Sequence, residues 1–154
     1  LGYWNKKAET DKVLVDGWLH TGDIGKFVNG YLKITDRKKD ILITPGGDNI
    51  SPVKVETELT KSNFIDQCLV YGDNKPYLVA LLVLNSETSV DEKDLSNEIE
   101  EINKNLTKIE KIKKFFVIKE KFSIENGMMT PTLKLKRYKI ISIYKNNFEE
   151  LYKK

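Results

Sequence analysis

One short string, GWLHTGD at residues 17–23, places an aspartate directly after a glycine-rich turn. Asp23 is chemically its most useful residue, because a carboxylate can accept hydrogen bonds from both hydroxyls of a ribose. The same string also fits a plain hairpin turn with a packed Trp18, and taken alone it favours that interpretation. His20 has no second potential ligand at a metal-binding spacing, so the sequence predicts no metal site here.

A second string, PGGDN at residues 45–49, sets two adjacent glycines ahead of a helix. Ser51 is a good N-cap and Pro52 suits the first helical position, so a helix is predicted to begin there. A glycine loop ahead of a helix can hold a phosphate, but no Gly-Lys-Ser/Thr follows, which excludes a Walker loop. Gly46 and Gly47 more simply allow a positive φ or the close approach of a ligand or another chain.

A third string, TPTLKLKR at residues 130–137, puts a lysine between a glycine-containing loop and the last predicted helix. Lys134 on such a loop is a point charge on a long stem, able to reach an anion on another body. The plainer interpretation is a basic entry to a helix. Lys136 is the nearest alternative to Lys134 for a chemical role.

Composition narrows the class of protein. The chain has 154 residues, 26 of them Lys or Arg and 23 Asp or Glu, and 40% hydrophobic residues, which predicts a folded domain rather than a disordered chain. The longest strongly apolar run, residues 77–84, is too short to span a bilayer. A single cysteine, Cys68, excludes an intrachain disulfide framework and indicates a reducing, cytoplasmic setting. The basic residues after Gly127 are not interleaved with exposed aromatics, so we expect no nucleic-acid partner.

The hydrophobic pattern predicts short strands and helices without strict alternation, which indicates an α+β fold. The apolar run at residues 77–84 is expected to form a central strand. A helix beginning at Asp91 or Asp94 is expected to continue to Ile109, and a final helix is expected to run from Ile140 to Leu151. The remaining predictions are strands at residues 13–15, 24–28, 31–35, 41–44, 64–71 and 113–119, a polar break at 36–40 and a loop at 123–132.

Taken together and in order, four strings resemble the motifs of the adenylate-forming, or AMP-forming, superfamily of acyl-CoA synthetases. They are GWLHTGD (17–23), ITDRKKDILI (34–43), GGDNISP (46–52) and TPTLKLKR (130–137). The variants DRKKD, GGDNISP and NGMMTPTLKLKR are most similar to bacterial long-chain fatty acyl-CoA synthetases. The resemblance implies that residues 1–38 end a large N-terminal adenylation domain as a β-rich strip. It implies that residues 39–154 form a mobile C-terminal domain, a small mixed or antiparallel sheet flanked by helices.

The resemblance also implies roles for individual residues. Asp23 and Arg37 match residues that bind the nucleotide near its ribose. Lys39 matches the hinge position, and Lys134 matches the lysine that catalyses the first half-reaction. Thr132-Leu133 replaces the Ser-Gly that precedes this lysine in many relatives. The loop that lines the tunnel for the pantetheine of coenzyme A matches Gly46, Gly47 and Asn49.

Such enzymes activate a fatty acid with ATP to acyl-AMP and then transfer the acyl group to coenzyme A as the C-terminal domain rotates. The resemblance therefore implies ATP or AMP, Mg²⁺ bound mainly by the N-terminal domain, a fatty acid and coenzyme A as ligands, and the protein's own N-terminal domain as partner. The first residue is Leu1 rather than Met, so we expect a C-terminal fragment that is inactive alone. The expected location is the cytoplasm, with peripheral contact at the inner membrane face as an option.

Three alternatives stay open at the level of sequence. In the first, the substrate is another carboxylate, of medium-chain, aryl or amino acid type, because the acyl pocket lies outside this chain. In the second, the chain is a non-enzymatic basic α+β module that binds RNA or acidic lipid surfaces. In the third, the fragment self-associates through apolar residues around Trp4 and Trp18.

Overall fold

The computed structural model describes residues 2–88 and 90–153. The chain divides into two compact units between Ile41 and Leu42. The first unit consists of one short helix and two antiparallel hairpins, β1–β2 and β3–β4. Its elements are α1 (Lys7–Val13), β1 (Leu14–Val15), β2 (Trp18–Leu19), β3 (Asp23–Val28) and β4 (Tyr31–Arg37).

Both hairpins of the first unit turn through a pair of residues with positive φ. Asp16 and Gly17 have φ values of 51° and 80°, and Asn29 and Gly30 have 50° and 82°. Two consecutive positive φ values are typical of the type I′ turn, whose twist matches that of the flanking strands. The turns therefore account for the local hairpins without any help from a core.

The first unit has almost no buried side chains. Asp36 is the one buried residue among those described up to position 41. Trp18 is 77% exposed, so the prediction of a packed tryptophan in this hairpin is wrong. The two-residue strands around it are too short to form a face that could cover an indole. Two predicted boundaries are also wrong: Val13 ends α1 rather than starting a strand, and β4 continues through Arg37 into the predicted polar break.

The second unit is built on a mixed three-stranded sheet in the order β7-β8-β9. Strand β7 runs antiparallel to β8, and β9 runs parallel to it. The predicted α+β class, with a small mixed sheet and flanking helices, is confirmed. The elements of this unit are β5 (Leu42–Ile43), β6 (Asn49–Ile50), α2 (Pro52–Leu59), β7 (Ile65–Tyr71), β8 (Leu78–Leu84), α3 (Glu92–Lys104), β9 (Ile112–Ile118), α4 (Arg137–Ile143) and α5 (Lys145–Glu150).

The core of the second unit lies on both faces of the sheet. Leu78, Ala80 and Leu82 of β8 pack in one buried cluster with residues of α2 and α3. The intervening residues of β8 pack in a second cluster that includes Ile140 of α4 and Phe148 of α5. Because successive side chains of a strand point to opposite faces, a strand covered on both sides must be apolar throughout. This explains why the continuous run at residues 77–84 forms the central strand, as predicted.

Two helices end earlier than the apolar spacing predicts. Helix α3 ends at Lys104, and Leu106 is buried in the turn that follows rather than on the helix. The side chain of Asn103 exchanges hydrogen bonds of 2.9 and 2.8 Å with the backbone of Ile112, which brings the chain directly into β9. The final helix is two helices, because Tyr144 (φ −99°, ψ 20°) leaves helical geometry between α4 and α5. No helix in the described ranges combines the length and apolarity needed to cross a bilayer.

Candidate active-site residues

The first unit brings Asp23 and Arg37 together as a cross-strand ion pair. The two residues lie opposite each other in the register of β3 and β4, and Arg37 Nε lies 2.9 Å from Asp23 Oδ1. The backbone N–H of Asp23 donates to Thr21 Oγ1 at 3.1 Å, which fixes the turn ahead of the strand. The side chains of Asp23 and Arg37 remain 26% and 62% exposed. Both keep hydrogen-bonding capacity toward a ligand, the carboxylate as acceptor and the guanidinium as donor.

The predicted hinge residue lies in the turn that leaves β4. This turn is closed by the backbone N–H of Asp40, which donates to Arg37 O at 2.9 Å. Lys39 is exposed within it. Asp36, two residues before the turn, is buried, and its Oδ2 has no hydrogen-bond partner among the described residues.

A tight hairpin in the second unit carries Gly46 and Gly47 between β5 and β6. The backbone N–H of Thr44 donates to Asp48 O at 2.9 Å, and Thr44 Oγ1 accepts from Asp48 N at 3.0 Å. Gly47 has a φ of +87°, which L side chains rarely adopt, so the turn itself requires glycine there. A β-carbon at Gly46 would meet ordinary van der Waals contacts, the nearest at 3.5 Å. The turn therefore does not require glycine at position 46.

Asn49 follows this loop as the first residue of β6, opposite Ile43 of β5. Both residues are exposed, whereas Leu42 and Ile50 are buried in the core. The predicted buried strand at residues 41–44 is therefore buried only at Leu42, because alternate residues of a strand face opposite sides. The backbone of Ile43 is anchored by Asp73, whose Oδ1 accepts from Ile43 N at 3.0 Å.

A cleft of about 560 Å³ lies beside the Gly46-Gly47 hairpin. Four lysines contribute to its lining. One of them, Lys75, is paired with Glu149 Oε2 at 2.8 Å. The others have no ion-pair partner among the described residues, and they are Lys108, Lys111 and Lys113. The carboxylate of Asp48 also lines the cleft, so three unpaired lysines against one carboxylate leave a net positive charge next to the exposed glycine loop.

Lys134 lies on a tight loop closed by the bridge between Met129 and Leu135. Within the loop, Thr130 N donates to Lys134 O at 2.8 Å, and Lys134 N donates to Thr130 Oγ1 at 3.0 Å. Leu133 has a φ of +58°, so the loop passes through the left-handed region directly before the lysine. Lys134 is exposed, and its ammonium has no acidic partner within residues 2–88 and 90–153. The backbone of the loop is therefore fixed by hydrogen bonds, while the ammonium of Lys134 makes no ion pair with a described residue.

Lys136, the alternative lysine, is also exposed. Its backbone N–H donates to Met128 O at 2.8 Å, and it occupies the N-cap position of α4. Lys136 therefore belongs to the base of the loop, whereas Lys134 follows the left-handed turn within it. Exposure alone does not separate the two residues.

The base of the lysine loop is fixed by a network of hydrogen bonds that no motif in the sequence indicates. Arg137, the first residue of α4, donates to both carboxylate oxygens of Glu56 at 2.7 and 2.9 Å. It also donates to Val70 O at 2.7 Å, while Val70 N donates to Glu56 Oε1 at 2.7 Å. The side chains of Arg137 and Glu56 are only 12% and 13% exposed. The only local indication of this ion pair in the sequence is the position of Glu56, directly after the buried Val55 of α2.

The segment that leads into the lysine loop, residues 123–129, is ordered by its own side chains. Asn126 Oδ1 accepts hydrogen bonds from Ser123 N and Met128 N, each of 3.1 Å. Lys139 Nζ donates to Asn126 O at 2.9 Å. A β-carbon at Gly127, where φ is +70°, would collide with that ammonium. The predicted loop is therefore irregular in shape and specific in its hydrogen bonding.

The single cysteine is not a candidate nucleophile. Cys68 lies on β7, is 4% exposed, and has its Sγ 3.6 Å from Glu56 O. Burial raises the pKa of its thiol, the charge of Glu56 raises it further, and Arg137 partly opposes both effects. The thiol is therefore neutral at physiological pH, and only a thiolate is a strong nucleophile.

The part of the chain that the structure describes contains no group of three or more His, Cys, Asp or Glu side chains able to hold a metal ion. The resemblance assigns the Mg²⁺ mainly to the N-terminal domain rather than to these residues.

The family comparison identifies the class of protein that carries these surfaces. The family model described as AMP-binding enzyme C-terminal domain matches residues 39–154. The chain belongs to this family. The predicted membership of the adenylate-forming superfamily is confirmed, and the matched residues include the whole second unit.

Curated relatives of this AMP-binding C-terminal domain are long-chain fatty acid ligases. Over 176 aligned residues the chain is 33% identical to long-chain-fatty-acid–CoA ligase FadD15 of Mycobacterium tuberculosis, an alignment that covers 99% of the chain and 29% of that protein. It is 37% identical to long-chain-fatty-acid–CoA ligase 1 of Homo sapiens, with 98% and 25% covered. It is 36% identical to long-chain-fatty-acid–CoA ligase 5 of Rattus norvegicus, with 98% and 26% covered. The chain thus spans 25–29% of the length of these relatives.

Solved structures similar to this chain are adenylate-forming enzymes of several kinds. The adenylation domain of the carboxylate reductase of Mycobacterium chelonae superposes with a TM-score of 0.88 at 28% identity, covering 98% of this chain and 26% of that one. The amide bond synthetase McbA of Marinactinospora thermotolerans gives a TM-score of 0.73 at 26% identity, covering 93% and 28%. The adenylation domain of the carboxylic acid reductase of Segniliparus rugosus, solved with AMP, gives 0.87 at 25% identity, covering 98% and 26%.

The structure brings some predicted site residues together and leaves others apart. Asp23 and Arg37 form one pair in the first unit. The glycine loop and the lysine loop both belong to the second unit, and among the described residues no hydrogen bond or ion pair joins them. The glycine loop comprises Gly46, Gly47 and Asn49.

Proposed function

We propose that this chain is the C-terminal part of an AMP-forming acid–thiol ligase whose substrate is a long-chain fatty acid. The observation that carries the proposal is the lysine loop, where an exposed, unpaired ammonium at Lys134 is held on a hydrogen-bonded backbone. Support comes from the long-chain-fatty-acid–CoA ligases that match the chain at 33–37% identity. In this proposal residues 1–38 end the large N-terminal domain and residues 39–154 form the mobile one.

In the first half-reaction a carboxylate oxygen of the fatty acid attacks the α-phosphorus of ATP. The bond from that phosphorus to the oxygen bridging the β-phosphate breaks, and pyrophosphate leaves with the electron pair. Two anions must approach each other, so a positive charge at the reacting centre lowers the barrier. Lys134 supplies that charge, and Asp23 with its partner Arg37 holds the nucleotide at its ribose.

In the second half-reaction the sulfur of coenzyme A attacks the acyl carbon, and its proton passes to solvent. The bond from the acyl carbon to the phosphate oxygen breaks, and AMP leaves. The hairpin at Gly46 and Gly47 forms one wall of the thiol path, with Asn49 at its end. The adjoining cleft, with Lys108, Lys111 and Lys113 unpaired among the described residues, suits the phosphates of coenzyme A.

Lys134→Ala in the full-length enzyme tests the proposal. The rate of acyl-AMP formation, measured as pyrophosphate release, is expected to fall on the order of 100- to 1,000-fold, because a charge at the reacting centre is removed. Thioester formation from supplied acyl-AMP and coenzyme A is expected to stay within about twofold, because the lysine acts only in the first transition state.

Lys136→Ala is the matched control, since it removes the same charge two residues away. It is expected to leave both half-reactions within about threefold of the parent enzyme. Equal loss of both half-reactions in Lys134→Ala contradicts the proposed role. A larger adenylation defect in Lys136→Ala than in Lys134→Ala transfers that role to Lys136.

A different acceptor in the second step is the second candidate. It is favoured by the structural similarity to carboxylate reductase adenylation domains and to an amide bond synthetase. Purified full-length enzyme with acyl-AMP, offered coenzyme A in one reaction and a primary amine in another, separates the two. Thioester product alone supports the first candidate, and amide product alone supports the second.

A further inference from the structure

The ion pair between Glu56 and Arg137 closes the edge of the central sheet. Within the described ranges strand β7 is paired only with β8, so alternate backbone groups of β7 point outward at its free edge. At Val70 both outward groups are taken: its N–H by Glu56 and its carbonyl by Arg137, each at 2.7 Å. Glu56 reaches this edge from α2, and Arg137 reaches it from the start of α4. These helices pack on opposite faces of the sheet, so the pair joins the two layers around its edge.

The two elements joined by this pair are anchored to the core very differently. Helix α2 buries Pro52, Val55 and Leu59, and would remain packed without its glutamate. The lysine loop is held less deeply, because Leu133 is 67% exposed and Leu135 is only half-buried. Its nearest fully buried neighbour is Met128, which precedes the loop and belongs to the second core cluster. On the other side of the loop, Arg137 provides the ion pair and the hydrogen bond that connect it to the edge of the sheet.

From this asymmetry we propose that Glu56 and Arg137 are positioning residues for Lys134. They fix the base of the loop to the edge of β7, so that the ammonium is presented at a defined place relative to the sheet. The inference rests on the proposed function of Lys134. It adds that the adenylation half-reaction depends on a carboxylate 78 positions away in the sequence that does not touch the substrates.

Two mild substitutions in the full-length enzyme test this inference. Glu56→Gln keeps the shape and one acceptor for Val70 but loses the charge, and Arg137→Lys keeps the charge but loses the forked contact with two partners. Each is expected to lower the turnover number for adenylation on the order of 10- to 100-fold, because small displacements of a catalytic group have large effects on rate. The KM for ATP and the rate of thioester formation from supplied acyl-AMP are expected to stay within about twofold.

Hydrogen exchange supplies a readout independent of activity. The backbone N–H groups of Thr130, Leu133, Lys134 and Lys136 are all hydrogen-bonded in the parent structure. In both variants these amides are expected to exchange faster, while those of β8, and those of β7 other than Val70, keep their protection. Equal acceleration across loop and sheet overturns the inference, because it indicates a general loss of stability.

Glu58→Gln is the matched control, since it weakens another ion pair of α2, that with Lys61, without touching the loop or the lysine-lined cleft. It is expected to leave the ratio of the two half-reaction rates unchanged. Unaltered adenylation in both Glu56→Gln and Arg137→Lys overturns the inference, and so does equal loss of both half-reactions. Lys134→Ala measured in parallel separates the two claims: if that variant keeps full adenylation, the proposed function itself is wrong.

Discussion

At the scale of single residues, the lysine loop contains one residue in an unfavourable backbone conformation. Leu133 has a φ of +58° and a side chain that is 67% exposed. An L-residue in the left-handed region loses about 1–2 kcal/mol relative to the right-handed one. Leucine at an exposed position recovers little of this by burial. The family resemblance places glycine here in many relatives, and the structure gives the physical reason for that preference.

Replacing Leu133 by glycine is therefore expected to stabilise the second unit. Relief of strain outweighs the roughly 0.5–1 kcal/mol that glycine loses through backbone entropy, so the free energy of unfolding should rise by up to about 1 kcal/mol. Denaturant unfolding of the 154-residue chain, followed by circular dichroism, measures it. Leu133→Val is the control, and it should lower stability because β-branching makes a positive φ harder. A valine variant as stable as the glycine variant contradicts this account of the loop.

Residue identity alone indicated which side chains are capable of chemistry, but not how they pair. Asp23 and Arg37 come from two different strings, and only the register of β3 and β4 sets them 2.9 Å apart. Glu56 and Arg137 are separated by 81 positions, and no local pattern marks such a pair. Contacts of this kind depend on the packing of whole elements.

At the scale of elements, the sequence predicted best where burial determines the pattern. The central strand β8 is apolar throughout because it is covered on both faces. Helix α2 begins as predicted, with Ser51 Oγ accepting from Lys54 N at 3.1 Å. Helix ends were predicted poorly. Leu106 continues the helical spacing of apolar residues, but it is buried in the turn after α3. The break at Tyr144 contains no glycine or proline that would indicate the end of a helix. The spacing of apolar residues indicates which side chains are buried, and side chains can stay buried beyond the end of a helix.

The hairpin between β5 and β6 gives an element-scale prediction, because its two glycines differ in what they do. Gly47→Ala is expected to lower the free energy of unfolding by about 1 kcal/mol, since its φ of +87° disfavours any β-carbon. Gly46→Ala is expected to change it by less than about 0.5 kcal/mol, because the added methyl group meets only ordinary contacts. Thermal and denaturant unfolding of the two variants measure the difference. Equal destabilisation contradicts the assignment of the turn to Gly47.

The same pair of variants then tests the use of the loop in the proposed reaction. A methyl group at position 46 narrows the thiol path without disturbing the fold. Gly46→Ala in the full-length enzyme is therefore expected to slow thioester formation about tenfold or more while sparing adenylation. Thioester formation at the parent rate would remove position 46 from the proposed path.

At the scale of the whole molecule, the proposed function requires one domain to serve two half-reactions by rotating. The turn at residues 38–40 is where a change of φ and ψ can be absorbed, because Lys39 is exposed. The first unit has no apolar core among its described residues, which supports its proposed place at the end of a larger domain. Because the chain spans only 25–29% of its long-chain relatives, we expect acyl-AMP synthesis to need the rest of the protein.

Lys39→Pro tests the rotation directly. Proline fixes φ near −65°, so the turn can no longer change conformation between the two steps. Adenylation in the full-length enzyme is expected to persist, whereas thioester formation is expected to fall at least about tenfold. Rapid-quench measurement of acyl-AMP and of thioester distinguishes the steps. Lys39→Ala, which removes the charge but leaves the backbone free, should retain both; if it behaves like the proline variant, the charge rather than the hinge is responsible.

The two tryptophans of this chain, Trp4 and Trp18, both belong to the first unit, where they are 88% and 77% exposed. Indole fluorescence of the 154-residue chain therefore reports on the first unit. We expect red-shifted emission and efficient quenching by iodide, because both rings are exposed to solvent. Unfolding of the second unit is not expected to change the tryptophan fluorescence, so it must be followed by tyrosine fluorescence or by circular dichroism. A blue shift of the emission when the N-terminal domain of the proposed full-length enzyme is supplied in trans would directly report its docking onto these rings.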